Sequence, residues 1–179
     1  MEIFLDTKES KREFAFRLAS VIDDRLPVIV CIGSDRVVSD MIGPLIAEIL
    51  VNKYDVDAYV YGRLNNPIIS KNLKSAFKYI KGKHKGRKII VIDATLGKLS
   101  DIGMVKLINS GCIPAGAFGT QTQIYGDISI LPVVSTIGVE SKVFLSAMKF
   151  LTVYNMAKDI AECVNNAIKI SNELSSLAI

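Results

Sequence analysis

The sequence predicts a three-layer α/β/α fold with a mainly parallel central sheet, and three observations carry that expectation. Val28–Ile32 and Lys88–Ile92 are short apolar runs rich in β-branched residues, the form of strands buried on both faces. Such runs alternate with stretches of helical periodicity, the order that right-handed parallel crossovers produce. No linker or abrupt change of composition divides the pattern, so residues 1–179 are read as one domain.

The elements follow in order. Phe14, Leu18, Val21, Ile22 and Leu26 recur at helical spacing, predicting a first helix over about residues 9–23 that ends before Pro27. Val28–Ile32 is a strand, Gly33–Asp40 a polar loop, and Met41–Asn52 a helix that tolerates Pro44 in its first turn, where an unpaired N–H is lost at little cost. Ala58–Tyr61 is a second strand, Ile68–Ile80 a helix, and Lys88–Ile92 a buried strand leading to Asp93. Gly103–Ile108 reads as a strand and Gly111–Gly126 as irregular chain. Asp127–Ser135 reads as a strand that Pro132 assigns to a sheet edge or a bulge. From Ser141 to about Leu174 there is neither glycine nor proline, predicting one long closing helix, bent near Thr152-Val153.

Composition narrows the chemistry. Half of the 179 residues are hydrophobic and 22% are charged, a globular balance. The opening Met1-Glu-Ile-Phe-Leu-Asp meets acidic residues too early for a secretory signal, and apolar runs such as Leu45–Val51 fall far short of the roughly 18 residues of a membrane span. A cytoplasmic protein without a membrane partner is expected. Cys31, Cys112 and Cys163 lack Cys-x-x-Cys spacing and read as small buried apolar residues. With His84 the one histidine of the chain, two-histidine metal chemistry is excluded. Lys81, Lys83, Lys85, Arg87 and Lys88 carry five positive charges against a net +4 for the whole chain. Lacking interleaved aromatics, the cluster reads as a solvated helix-to-strand turn rather than a nucleic-acid surface, with His84 solvated among it.

Asp40 and Asp93 each follow a strand, and in an open α/β sheet the functional crevice lies beyond the carboxyl ends of the strands. Two neighbouring carboxylates do not ionise together readily, so one retains a proton and serves as acid while the other serves as base. Such a pair activates water against a peptide carbonyl without histidine or a nucleophilic serine. Taken alone, each aspartate also has a structural reading, as a helix N-cap or as a turn-ordering residue.

Cys31-Ile-Gly-Ser-Asp-Arg-Val-Val-Ser-Asp-Met-Ile-Gly-Pro44, Val91-Ile-Asp-Ala-Thr-Leu-Gly97 and Gly126-Asp-Ile-Ser-Ile130 together resemble the signatures of YyaC-type sporulation proteins, relatives of the spore germination protease. The resemblance covers about residues 28–140. It implies an aspartic-type endopeptidase acting in a sporulating cell or spore on small acid-soluble spore proteins, with Asp40 and Asp93 at the positions of the two essential aspartates. By fold it extends to hydrogenase maturation proteases, in which an acidic metal ligand, an aspartate and a histidine form the site; here no histidine can be matched. The loop Pro114-Ala-Gly-Ala-Phe-Gly-Thr-Gln-Thr122 departs from the family, with Ala115 replacing a glycine, which alters the shape of a substrate-facing loop that contains Gly116.

Around the pair, Ser34 is read as ordering its loop at the substrate side, because neither a nucleophile elbow nor a histidine base accompanies it. Asp35 and Arg36 are read as a local ion pair or as substrate contacts, and Asp127 as supporting the site from behind. No dinucleotide fingerprint or phosphate loop is present, and no cofactor or metal is expected. Two other readings stay open: a non-catalytic protein holding a peptide in the same crevice, and a metal site built on the two carboxylates, for which two ligands make a weak set. Oligomeric state is not legible.

Overall fold

The computed structural model describes residues 1–23, 25–114, 123–136 and 149–177. Its strands are β1 (Glu2–Phe4), β2 (Val28–Cys31), β3 (Tyr59–Tyr61), β4 (Ile89–Ile92), β5 (Thr95–Gly97), β6 (Met104–Ile108) and β7 (Ile128–Thr136). Its α-helices are α1 (Lys8–Ala19), α2 (Ile42–Asn52), α3 (Leu73–Lys83) and α4 (Phe150–Leu177). The sheet runs β1-β6-β7-β4-β2-β3, with β5 pairing the far half of β7. β3, β2, β4, β7 and β5 pair in parallel, and β6 pairs antiparallel with both β7 and β1.

The three layers follow from the period of two along the strands. Ile29 and Cys31 of β2 and Ile90 and Ile92 of β4 face one way, into a core with Phe14 and Leu18 of α1, Ile46 and Leu50 of α2, and Ile160 and Val164 of α4. Val28 and Val30 of β2 and Ile89 and Val91 of β4 face the other way, onto Leu73, Phe77 and Ile80 of α3. Every residue of β2 and β4 is buried, as expected of strands covered on both sides. Thr7 caps α1, its hydroxyl accepting from the Ser10 N–H at 3.0 Å, and Lys11 ties α1 to α4 through Asp159 at 2.6 Å and Glu162 at 3.2 Å.

Three expectations need correction. The segment Ile68–Asn72, read as the start of a helix, is a turn: Ile68 forms a parallel bridge with Ile32, and α3 begins at Leu73. Of the two readings of Pro132, the edge fails, since its strand is interior, and the bulge is supported by an irregularity in the β5–β7 register one residue on. β7 pairs with β4 through Ile130 and with β5 from Val133 onward, so Pro132 falls where the partner changes, next to a register shift. There a missing N–H interrupts no continuous ladder on that side. His84, read as solvated, is only 6% exposed. It shares a 2.7 Å hydrogen bond with the Tyr61 hydroxyl, and its ring lies 4.2 Å from that of Tyr59. Lys81, Lys83 and Lys85 are exposed on the turn. Arg87 instead donates to the Leu26 carbonyl at 3.0 Å and covers the Tyr59 ring at 5.3 Å. The expected helix start at Ser141 lies outside the described residues, and the closing helix runs on to Leu177.

Candidate active site

The chain leaves β2 toward β3 on one side and later returns through α3 to β4 on the other side of β2. α2 and α3 lie on opposite faces of the sheet, so a crevice opens beyond the ends of β2 and β4 at this reversal of strand order. Asp40 follows β2 and Asp93 follows β4, so the two aspartates flank the reversal.

Local backbone geometry builds the first half. Gly33 has φ +137°, and a Cβ placed on it would sit 2.1 Å from the Asp40 carbonyl oxygen. The loop therefore folds directly onto the entry to α2 only because residue 33 has no side chain. A Cβ on Gly43 would likewise meet the Ile32 carbonyl oxygen at 2.2 Å, so the first turn of α2 packs against the end of β2. Gly33 N–H donates to Ile68 O at 2.9 Å, bringing the 66–72 turn up as the opposite wall. Within the loop, the Ser34 backbone N–H and hydroxyl both donate to Asp40 Oδ2, each at 2.8 Å. Asp40 stands in a 3-10 turn, Val38–Met41, that runs into α2.

The second half is more deeply set. Asp93 is 4% exposed, and its N–H donates to Ile130 O at 3.2 Å, carrying the β4–β7 pairing one residue past the strand. Asp40 and Asp93 line one cleft of 210 Å³ together with Ile32, Gly33, Ser34, Arg36, Ile69 and Ser70.

Ser34 and Arg36 thus both line the cleft. No ion pair joins Asp35 to Arg36, both exposed and both described; Arg36 instead is one of the residues lining the cleft. Asp127 is not at the site. Its Oδ2 accepts from the Ile89 N–H at 2.9 Å at the start of β4, the opposite end of that strand from Asp93. Gly116 lies outside the described residues.

Sequence reasoning missed one wall of the site. Ile69 and Ser70 line the cleft, and no local signal marked them, because the turn that carries them is set by the bridge from Ile68 to Ile32. Outside the cleft lining, Cys112, read as a small buried apolar residue, is half-buried and pairs with Tyr125 in an antiparallel bridge. Burial pushes its thiol above the ordinary value, a hydrogen bond with Ser129 works against that, and the Asp93 charge adds to it. The Ser129 hydroxyl donates to the Ser110 carbonyl at 2.8 Å, anchoring this loop to β7. Among the described residues no group of three His, Cys, Asp or Glu side chains gathers to hold a metal ion, and no helix is long and apolar enough to cross a membrane.

Residues 2–163 match the family described as "Protein of unknown function (DUF1256)". The chain is similar to "Uncharacterized protein YyaC" of Bacillus subtilis (strain 168), 34% identical over 137 residues, which is 75% of this chain and 66% of that protein's own length.

Proposed function

The chain belongs to the DUF1256 family, and from that premise we propose that it is an aspartic-type endopeptidase in which Asp40 and Asp93 share the acid and base roles. One observation carries the reading: Asp40 and Asp93 are both lining residues of a single cleft at the point where strand order reverses. One carboxylate takes a proton from a water as its oxygen attacks the peptide carbonyl. The other, protonated, gives its proton to the departing amine, so the pair ends with its two states exchanged. Arg36 at the rim offers a fixed positive charge for a substrate carbonyl or carboxylate. Ser34 holds Asp40 in place and takes no covalent part. The signature resemblance supports small acid-soluble spore proteins as the substrate class and the cytoplasm of a sporulating cell as the setting.

The test is incubation of the purified chain with a small acid-soluble spore protein, alongside Asp40→Asn and Asp93→Asn. Discrete cleavage by the native chain should be lost in both variants while their circular dichroism is unchanged. Cleavage that persists in both variants overturns the reading.

A further inference from the structure

A second cleft, of 310 Å³, lies between the end of β3 and α3. Ile68 and Ile80 give it an apolar floor, and Tyr61 and Tyr79 stand in its walls. Two of its polar side chains are committed to nearby backbone. Asn72 accepts from the Ile69 N–H at 2.8 Å and donates to Pro67 O at 3.0 Å, and Ser75 donates to Asn72 O at 2.8 Å. The two phenols differ from these in having a cation and a buried base behind them. Lys83 Nζ stands 3.4 Å from the Tyr79 hydroxyl, and the Tyr61 hydroxyl is 2.7 Å from Nε2 of buried His84. The Lys83 ammonium is held above its ordinary value, first by Tyr79 and then by Tyr61.

Lys83 brings a cation to the Tyr79 side of the cleft, and among the described residues it forms no ion pair with a carboxylate. An ammonium beside a hydroxyl donor suits an oxyanion, with lysine serving as a compact point charge. An apolar floor beneath selects an oxyanion that carries an organic body. The cleft shares no lining residue with the one that holds Asp40 and Asp93.

We propose that this cleft binds a small organic phosphate, whose oxygens accept hydrogen bonds from Lys83 Nζ and from the Tyr79 hydroxyl. The site is independent of peptide cleavage, so its test does not use it.

The ¹⁵N-labelled chain is titrated with inorganic phosphate and, separately, with phenyl phosphate, at constant pH and ionic strength. Saturable amide shifts should centre on Gly62 and on Tyr79 to His84, with phenyl phosphate binding the more tightly. Lys83→Gln and Tyr79→Phe, both at exposed positions, should each weaken binding about tenfold. Lys85→Gln, in the same turn but outside the cleft, should change it by less than about twofold. Absence of saturable shifts overturns the site. A loss in Lys85→Gln equal to that in Lys83→Gln reduces it to diffuse attraction, and equal affinity for the two probes removes the organic part of the ligand.

Discussion

Ser34 gives both its backbone N–H and its hydroxyl to one oxygen of Asp40, at 2.8 Å each. Six residues apart in sequence, the two close a loop whose geometry is set before any substrate arrives. A carboxylate bonded this way is a positioned group, because each donor removes a rotamer it would otherwise sample.

Replacing Ser34 with alanine leaves the backbone donor and removes the hydroxyl. Unfolding free energy should fall by about 1 kcal/mol, the usual net worth of one such bond. Cleavage should fall by about tenfold, through looser placement of Asp40. Activity abolished as fully as in Asp40→Asn would make Ser34 a nucleophile and remove its ordering role.

Gly33→Ala tests the close approach beneath that loop. Its Cβ would collide with the Asp40 carbonyl oxygen, 2.1 Å away, at a φ of +137° that side-chain-bearing residues avoid. Loss of about 2 kcal/mol or more is expected in denaturant unfolding, since the loop must open to relieve the contact. Wild-type stability in this variant would mean that the loop is not packed as described.

His84 makes a prediction about acidity. Burial pushes its imidazole below the ordinary value, and the positive charges of Lys83 and Arg87 push the same way. Its folded-state affinity for a proton is therefore weaker than in the unfolded chain. Below a pH of about 6.5 the unfolded state takes up the proton first, and stability falls as pH falls; above that value the term is flat. One proton gives a slope of at most ~1.4 kcal/mol per pH unit. His84→Gln keeps a hydrogen-bonding group for Tyr61 without the titration, so its stability curve should be flatter between about pH 6.5 and 5. Parallel curves for the two proteins would exclude His84 as the source.

How far the chain could be read before folding depended on whether the deciding interaction was local. β2 and β4 were legible because strands covered on both faces must be apolar throughout, and α2 because Gly43-Pro44 fits a first helical turn. The 66–72 turn was not, because its conformation is set by pairing with Ile32, distant in sequence, against the helical spacing of its own apolar residues. His84 was misread from its charged neighbours, whereas its burial depends on Tyr59 and Tyr61 of β3. Asp127 shows a simpler omission. A residue that precedes a parallel strand stands at the opposite end of the sheet from one that follows it, so a position just before β7 could have been separated from Asp93 by direction alone. The aspartates themselves were legible as post-strand residues, and their common cleft came only with the strand order.

The last prediction concerns the protonic coupling of Asp40 and Asp93. If one carboxylate supplies a proton while the other removes one, cleavage requires the singly protonated pair. The rate should then pass through a maximum with pH, because the pair lacks its base when both groups are protonated and its acid when both are ionised. Either asparagine variant keeps the shape of the cleft and removes one titrating partner, so cleavage should fall by at least about 100-fold. Residual activity should show a single titration in place of the bell. Because water is activated by a carboxylate in this scheme, a chelator should leave the rate within about twofold of the untreated protein. A monotonic profile in the native chain would detach the two aspartates from a shared proton. Abolition of cleavage by the chelator, restored by a divalent cation, would transfer the role of these carboxylates to holding a metal.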